Sequence, residues 1–180
     1  MYFEMISDGG RMVEIGFVRV ACLLVVLAGC NADSGPTLDE QMAEVEAALG
    51  QFVVSLESAP EGLADPSDQI KAYVEAQSTS IYGSTVAVLG SDGKVVTSPY
   101  WFRADGGLKE IELVTPSYAI DEQEWLRRPI DEQAAVWTEP YFDEGGGDIW
   151  MRTRAVPVHD GADIVAVATT DLAVDEPVAQ

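Results

Sequence analysis

Tyr141 and Asp143 stand two residues apart in the run W-T-E-P-Y-F-D-E-G-G-G at 137–147. On an extended strand, residues at that spacing point to the same side, so an aromatic ring and a carboxylate share a face, a common pocket wall. The same parity adds Trp137 and Glu139 to that face. Pro140 interrupts the run and has no backbone donor for a central ladder, which predicts an edge strand. Asp171 closes a strand of different character. Val165, Val167, Thr169 and Asp171 alternate with Ile164, Ala166, Ala168 and Thr170, and both sets are largely apolar. Such a strand is central and covered on both sides. A carboxylate at the end of a buried face is costly unless something pairs with it. Asp171 therefore requires either a ligand or an internal partner such as Arg127, Arg128 or backbone N–H groups.

Little else in the chain has the makings of reaction chemistry. The one histidine, His159, falls in the H-D-G-A turn and is expected to be solvated. No G-x-S-x-G or H-E-x-x-H motif accompanies it, which argues against a hydrolase. Asp143, Glu144 and Asp148 surround three glycines and could hold calcium, but their spacing fits no EF-hand loop and reads as a hairpin turn. No metal or cofactor is expected. The formal net charge of -21 argues against nucleic acid as a partner, because phosphate binding needs clustered Lys and Arg. It argues equally against docking on anionic lipid through a basic patch. The acidity is that of a self-repelling, soluble surface.

Both cysteines, Cys22 and Cys30, lie near the N-terminus. Arg11 and Arg19 precede the apolar run V-A-C-L-L-V-V-L-A-G at 20–29, which is too short to span a bilayer and is followed by small residues. That order is the order of a secretory signal. Leu27-Ala28-Gly29-Cys30 resembles the lipobox of bacterial lipoproteins, which implies acylation of Cys30 and a lipid tether. Residues 1–29 are thus read as a signal peptide and 30–37 as a linker. Glu4, Asp8 and Glu14 are unusual upstream of such a signal, and translation from Met12 would leave them out.

The elements that must position the acids follow. Thr37 and Glu40 form a T-x-x-E capping box. Behind it Leu38, Met42, Val45, Leu49, Phe52 and Leu56 recur at three- and four-residue spacing, an apolar helix stripe. The stripe fits packing on its own domain, and also a dimer seam. A-P-E-G-L-A-D-P-S-D breaks the helix. Asp65 as N-cap and Pro66 at the first position predict a second helix with Ile70, Tyr73, Val74 and Gln77 on one face. From Thr85 the period becomes two. T-V-A-V-L-G and K-V-V-T-S-P-Y-W-F-R flank the S-D-G-K hairpin signal, A-D-G-G turns again, and L-K-E-I-E-L-V alternates. A loop with a short helix around Glu122 to Arg127 leads to strands near 136–142, 148–156 and 163–171. Helices followed by an antiparallel sheet make an α+β domain, placed at 38–176 with a tail at 177–180.

Trp125, the 137–147 run, M-R-T-R-A-V-P-V at 151–158 and the closing T-D-L at 170–172 together resemble the Cache domain. Cache domains are PAS-like extracytoplasmic sensor modules of bacterial chemoreceptors, histidine kinases and sigma-regulating phosphatases. The likeness is densest over 118–172 and reaches 38–117 through the long helix and I-Y-G at 81–83. It implies a five-stranded antiparallel sheet, a long helix behind it, and a small-molecule pocket between the sheet and the 104–135 connection. Against the amino-acid-binding branch, Tyr118, Trp125, Tyr141, Asp143 and Asp171 match the ligand contacts. Two positions depart: the carboxylate-clamping arginine falls on Gln123, and the tyrosine after the tryptophan on Leu126. Arginine is suited to gripping a carboxylate and glutamine lacks its charge. The aromatic and acidic half that is kept suits an amine or other cation. Family members usually continue into a transmembrane helix and an output module. This sequence stops at Gln180, so output is expected from an unidentified signalling protein. The competing readings are a docking lipoprotein with a vestigial pocket, and a hydrolase.

Overall fold

The computed structural model describes residues 35–178. The signal-like run, both cysteines and most of the linker lie outside the described residues. Thr37 caps helix α1 (Leu38–Ser58), and the full capping box with Glu40 is present. Val45, Leu49, Phe52 and Leu56 of the apolar stripe are buried, and Met42 packs beside them. They lie against the back of the sheet, so within this chain the stripe serves its own domain; Leu38 at the helix start stays exposed.

The break after α1 folds as a short 3-10 turn (Pro60–Ala64), and helix α2 runs Ser67–Ala76. Its start lies one residue later than the capping rule placed it. Pro66 occupies the cap position with no side-chain bond of its own. Asp65 instead accepts the Ser67 N–H at 3.4 Å, an Asx-type contact from just outside the helix. Phe52 stacks on Tyr73 with ring centroids 4.4 Å apart, which joins α1 to α2. Arg103 then ties the end of α2 to the sheet. It donates to the carbonyls of Val74, Gln77, Ser78 and Ile81, bridging the last turn of α2, the link after it and the start of the first strand.

The strands are β1 (Ile81–Leu89), β2 (Val95–Thr97), β3 (Pro99–Ala104), β4 (Gly107–Glu112), β5 (Val136–Trp137), β6 (Tyr141–Phe142), β7 (Trp150–Asp160) and β8 (Asp163–Ala173). The order is β4-β3-β1-β8-β7-β5, with β2 paired to β1 and β6 to β7. All pairs are antiparallel. The sheet has eight strands where five were expected, and three of the eight, β2, β5 and β6, are only two or three residues long. β8 is central, as its two apolar faces predicted, and the 136–142 run forms the edge, as Pro140 predicted. That run is two strands rather than one. Thr138 turns its N–H and its hydroxyl to the backbone of Thr153, and Pro140, lacking a donor, lies in the break. K-V-V-T-S-P-Y-W-F-R likewise splits at Ser98, whose N–H goes to Glu112 Oε1.

One sheet face packs on α1 and α2 through Val86, Val158, Ala166 and Ala168. The other carries Ala87, Tyr100, Ala155 and Val167 beneath Leu113, Tyr118, Trp125 and Leu126. These last come from the 113–123 connection and from helix α3 (Glu124–Glu132), which is longer than the sequence signals implied. Both faces of β8 are thus covered. Val165 departs from the expected parity. The register between β7 and β8 slips at Val158/His159, and Val165 joins the helix side.

Candidate functional site

Asp171 sits near the C-terminal end of β8, paired in register with Gly83 of β1 and Thr153 of β7. It is 3% exposed. Thr153 Oγ1 donates to Asp171 Oδ1 at 2.7 Å, and the Tyr141 hydroxyl lies 2.9 Å from the same Thr153 oxygen. Thr153 has one hydroxyl proton. With that proton on the ionised carboxylate, Tyr141 must be the donor in the second bond. A directed chain therefore runs Tyr141 to Thr153 to Asp171.

A second chain ends on Asp143, 5% exposed. Trp125 Nε1 donates to the Tyr118 hydroxyl at 3.2 Å, and that hydroxyl donates to Asp143 Oδ1 at 2.6 Å. The other oxygen, Oδ2, accepts the Gly147 N–H at 2.8 Å. The E-G-G-G run makes this bond. The Gly146 and Asp148 N–H groups both close on the Asp143 carbonyl, Gly145 takes φ +81°, and a side chain on Gly146 would run into the Asp143 carboxylate. These acids form a turn, as expected. Among the described residues no group of three His, Cys, Asp or Glu side chains is arranged to hold a metal ion.

All five residues expected at the site line one interior space between the sheet and the 113–125 segment, with about 10 Å³ of free room, the scale of one water molecule. Burial raises both acids. Asp171 is pushed to about 7 by desolvation, against the Thr153 hydrogen bond and with help from the Asp143 charge. Asp143 is raised by desolvation too, against the Tyr118 and Gly147 hydrogen bonds that stabilise its ionised form. Desolvation likewise raises Tyr118 and Tyr141, with the acids adding to it.

No described cation pairs with either acid. The internal partners considered for Asp171 are used elsewhere or exposed. Arg128 binds Glu124 and Glu132, each at 2.9 Å, and Arg127 is exposed. Trp137 and Glu139 do not share the face of Tyr141 and Asp143, because the chain breaks between β5 and β6. Trp137 Nε1 instead donates to Glu46 of α1 at 2.9 Å, and Glu139 is exposed, 3.9 Å from Arg152. Gln123 does not line the space and donates to the Tyr118 carbonyl at 3.0 Å, while Leu126 is core. His159 lies within β7, paired with Ile164, rather than in the turn where it was expected, and its N–H donates to Glu57 of α1 at 3.0 Å.

The lining residues that were not legible in advance include Thr153 and Tyr100. Thr153 becomes a candidate only through its register opposite Asp171. Tyr100 is 2% exposed, and the alternation of P-Y-W-F-R marks its face without saying which face that is.

The family model described as "Methyl-accepting chemotaxis protein-like, first PDC sensor domain" matches residues 67–176, more than half of the sequence. The chain belongs to that family. No curated protein matches it. The extracellular domain of soHK1S-Z6, described as a histidine kinase, is similar with a TM-score of 0.61 at 22% identity, over 73% of this chain and 53% of that one. The ligand-binding domain of Mlp24 with asparagine gives 0.57 at 17%, over 77% and 52%. The ligand-binding domain of the Campylobacter jejuni chemoreceptor Tlp3, in complex with L-valine, gives 0.52 at 11%, over 74% and 54%. At these identities the likeness is one of fold, and this PDC sensor chain spans about half the length of those three domains. Among the described residues no helix is long and apolar enough to cross a membrane.

Proposed function

We propose that this PDC sensor domain is the extracytoplasmic binding module of a signalling system, and that it takes a small amine or other organic cation between Asp143 and Asp171. One observation carries the reading: two buried carboxylates, walled by Tyr118, Trp125 and Tyr141, with no described cation paired to either. Buried charge of one sign is costly unless matched. A cationic ligand supplies the match, and the aromatic faces add to its attraction. Without the clamping arginine at Gln123, the site offers a ligand carboxylate no charged partner. The role in this reading is binding, as in the sensor family to which the chain belongs. The reading includes a lipid tether on Cys30 and output through a separate signalling protein.

The test is thermal unfolding of the full chain in detergent with matched panels of amines, amino acids and carboxylates. A ligand that binds only the native state raises the midpoint. Amines should raise it and simple carboxylates should not. If carboxylates act alone, the cation reading fails. If no compound in any panel acts, the docking module becomes the better account.

A further inference from the structure

The Tyr100 hydroxyl is an anomaly of the site. The side chain is buried, its ring stacks on Phe102 at 5.2 Å, and its oxygen has no partner in hydrogen-bonding geometry. It nevertheless lies close enough to Asp171 to affect that carboxylate's ionisation. A buried hydroxyl without a partner is costly, and a phenylalanine would fill the same ring position without that cost.

The backbone has been cleared to make room for this oxygen. Gly83 lies opposite Asp171 on one side and Phe102 on the other. A Cβ at Gly83 would come within 2.5 Å of the Tyr100 oxygen and 2.7 Å of its ring, so only glycine lets the ring cross β1 towards Asp171. Gly147, whose N–H holds Asp143, borders the same oxygen from the other side, where a Cβ would stand 3.4 Å away. One glycine-lined corner thus gathers an unpartnered hydroxyl beside the less satisfied of the two carboxylates.

We infer that Tyr100 is a ligand-contacting residue and that the site selects a primary ammonium over a quaternary one. This inference rests on the cation reading above. A primary ammonium has three N–H donors, which Asp171, Asp143 and the Tyr100 oxygen can accept. A trimethylammonium group has none, and it would leave the hydroxyl unpartnered. The free room, about 10 Å³, also suits a head group the size of a water molecule rather than one carrying three methyls.

The experiment compares ethylamine, ethanolamine and putrescine with the N,N,N-trimethyl counterpart of each, by titration calorimetry on the full chain and on Tyr100→Phe. The expected result is binding of primary amines, at least tenfold weaker binding of their trimethyl counterparts, and about a tenfold loss in Tyr100→Phe, the worth of one buried hydrogen bond. The unliganded melting temperature of Tyr100→Phe should equal or exceed that of the native chain, because an unsatisfied hydroxyl is gone. A merely structural tyrosine would lower it and leave affinity alone. Equal affinity for primary and trimethyl forms overturns the selectivity, and that comparison needs no variant to fold. Unchanged affinity in a folded Tyr100→Phe overturns the contact, while the cation reading stands. No binding of any cation by the native chain overturns that reading, and this one with it.

Discussion

Asp171→Asn turns the buried acid into a neutral near-isostere and exposes its linkage to pH. In the folded chain the group is held at about 7, against an ordinary value of 3.8. Between those limits the unfolded chain has released its proton and the folded chain has not. The folded state binds more protons there, so stability falls as pH rises. The contribution is fully present below about pH 4 and is lost by about pH 7. A gap of about three units, at roughly 1.4 kcal/mol each, amounts to about 4 kcal/mol. Because Asp143 shares the space, the midpoint belongs to the coupled pair. Every other titrating group is common to both chains, so the measured quantity is the difference in urea unfolding free energy between Asp171→Asn and native protein at pH 4, 5, 6, 7 and 8. The difference should move in favour of the asparagine variant by several kcal/mol from pH 4 to 7 and level off above. A bound cation should flatten it, because it restores the ionised form. A difference constant to within about 1 kcal/mol over that range, well below the linkage estimate, would mean that Asp171 is solvated or already paired, and would refute the desolvation argument.

Thr153→Val removes the hydroxyl donor from Asp171 and keeps the side-chain shape, so the pH midpoint of that stability loss should move upward; an unmoved midpoint in the same unfolding series would show that Thr153 does not stabilise the carboxylate. Leu49→Ala empties a fully buried position of α1 and should cost about 2–5 kcal/mol in urea unfolding, whereas a cost below about 1 kcal/mol would place the stripe outside the core. Arg103→Ala removes the guanidinium bonds to the carbonyls of Val74, Gln77, Ser78 and Ile81 and should cost about 2 kcal/mol, with faster amide exchange at the start of β1. Cys30→Ser should leave an uncleaved or mislocalised precursor in cell fractionation, and normal processing with membrane retention would remove the lipid tether from the proposal.

What the sequence revealed, and what it hid, follows from which signals are local. The capping box, the α1 stripe and the central character of β8 depend on residues within a turn or on one strand, and each was readable. The cost of burying Asp171 was readable for the same reason, since alternation alone placed it at the end of a covered face. Parity failed wherever the ladder broke. Pro140 separates β5 from β6, so Trp137 turns to Glu46 and away from Tyr141. The slip at Val158/His159 sends Val165 to the helix side. Thr153 and Tyr100 escaped because their roles depend on pairing across strands distant in sequence. No periodicity says that Thr153 lies opposite Asp171, or that Gly83 leaves a path for the Tyr100 ring.

The unequal state of the two acids follows from where each stands in the fold. Asp143 opens a turn, and turn backbone has N–H groups free to point inward. The Gly147 N–H takes one carboxylate oxygen and Tyr118 the other, so fixed donors stabilise the charge. Asp171 stands within a ladder, paired on both sides, where neighbouring backbone is occupied with strand pairing. Only cross-strand side chains can serve its carboxylate. Thr153 gives it one bond, and Tyr100 reaches it without one. Burial raises both acids, and at Asp143 two fixed donors oppose the rise. A positive group entering beside them gains most at Asp171, because there the uncompensated cost of ionisation is greatest.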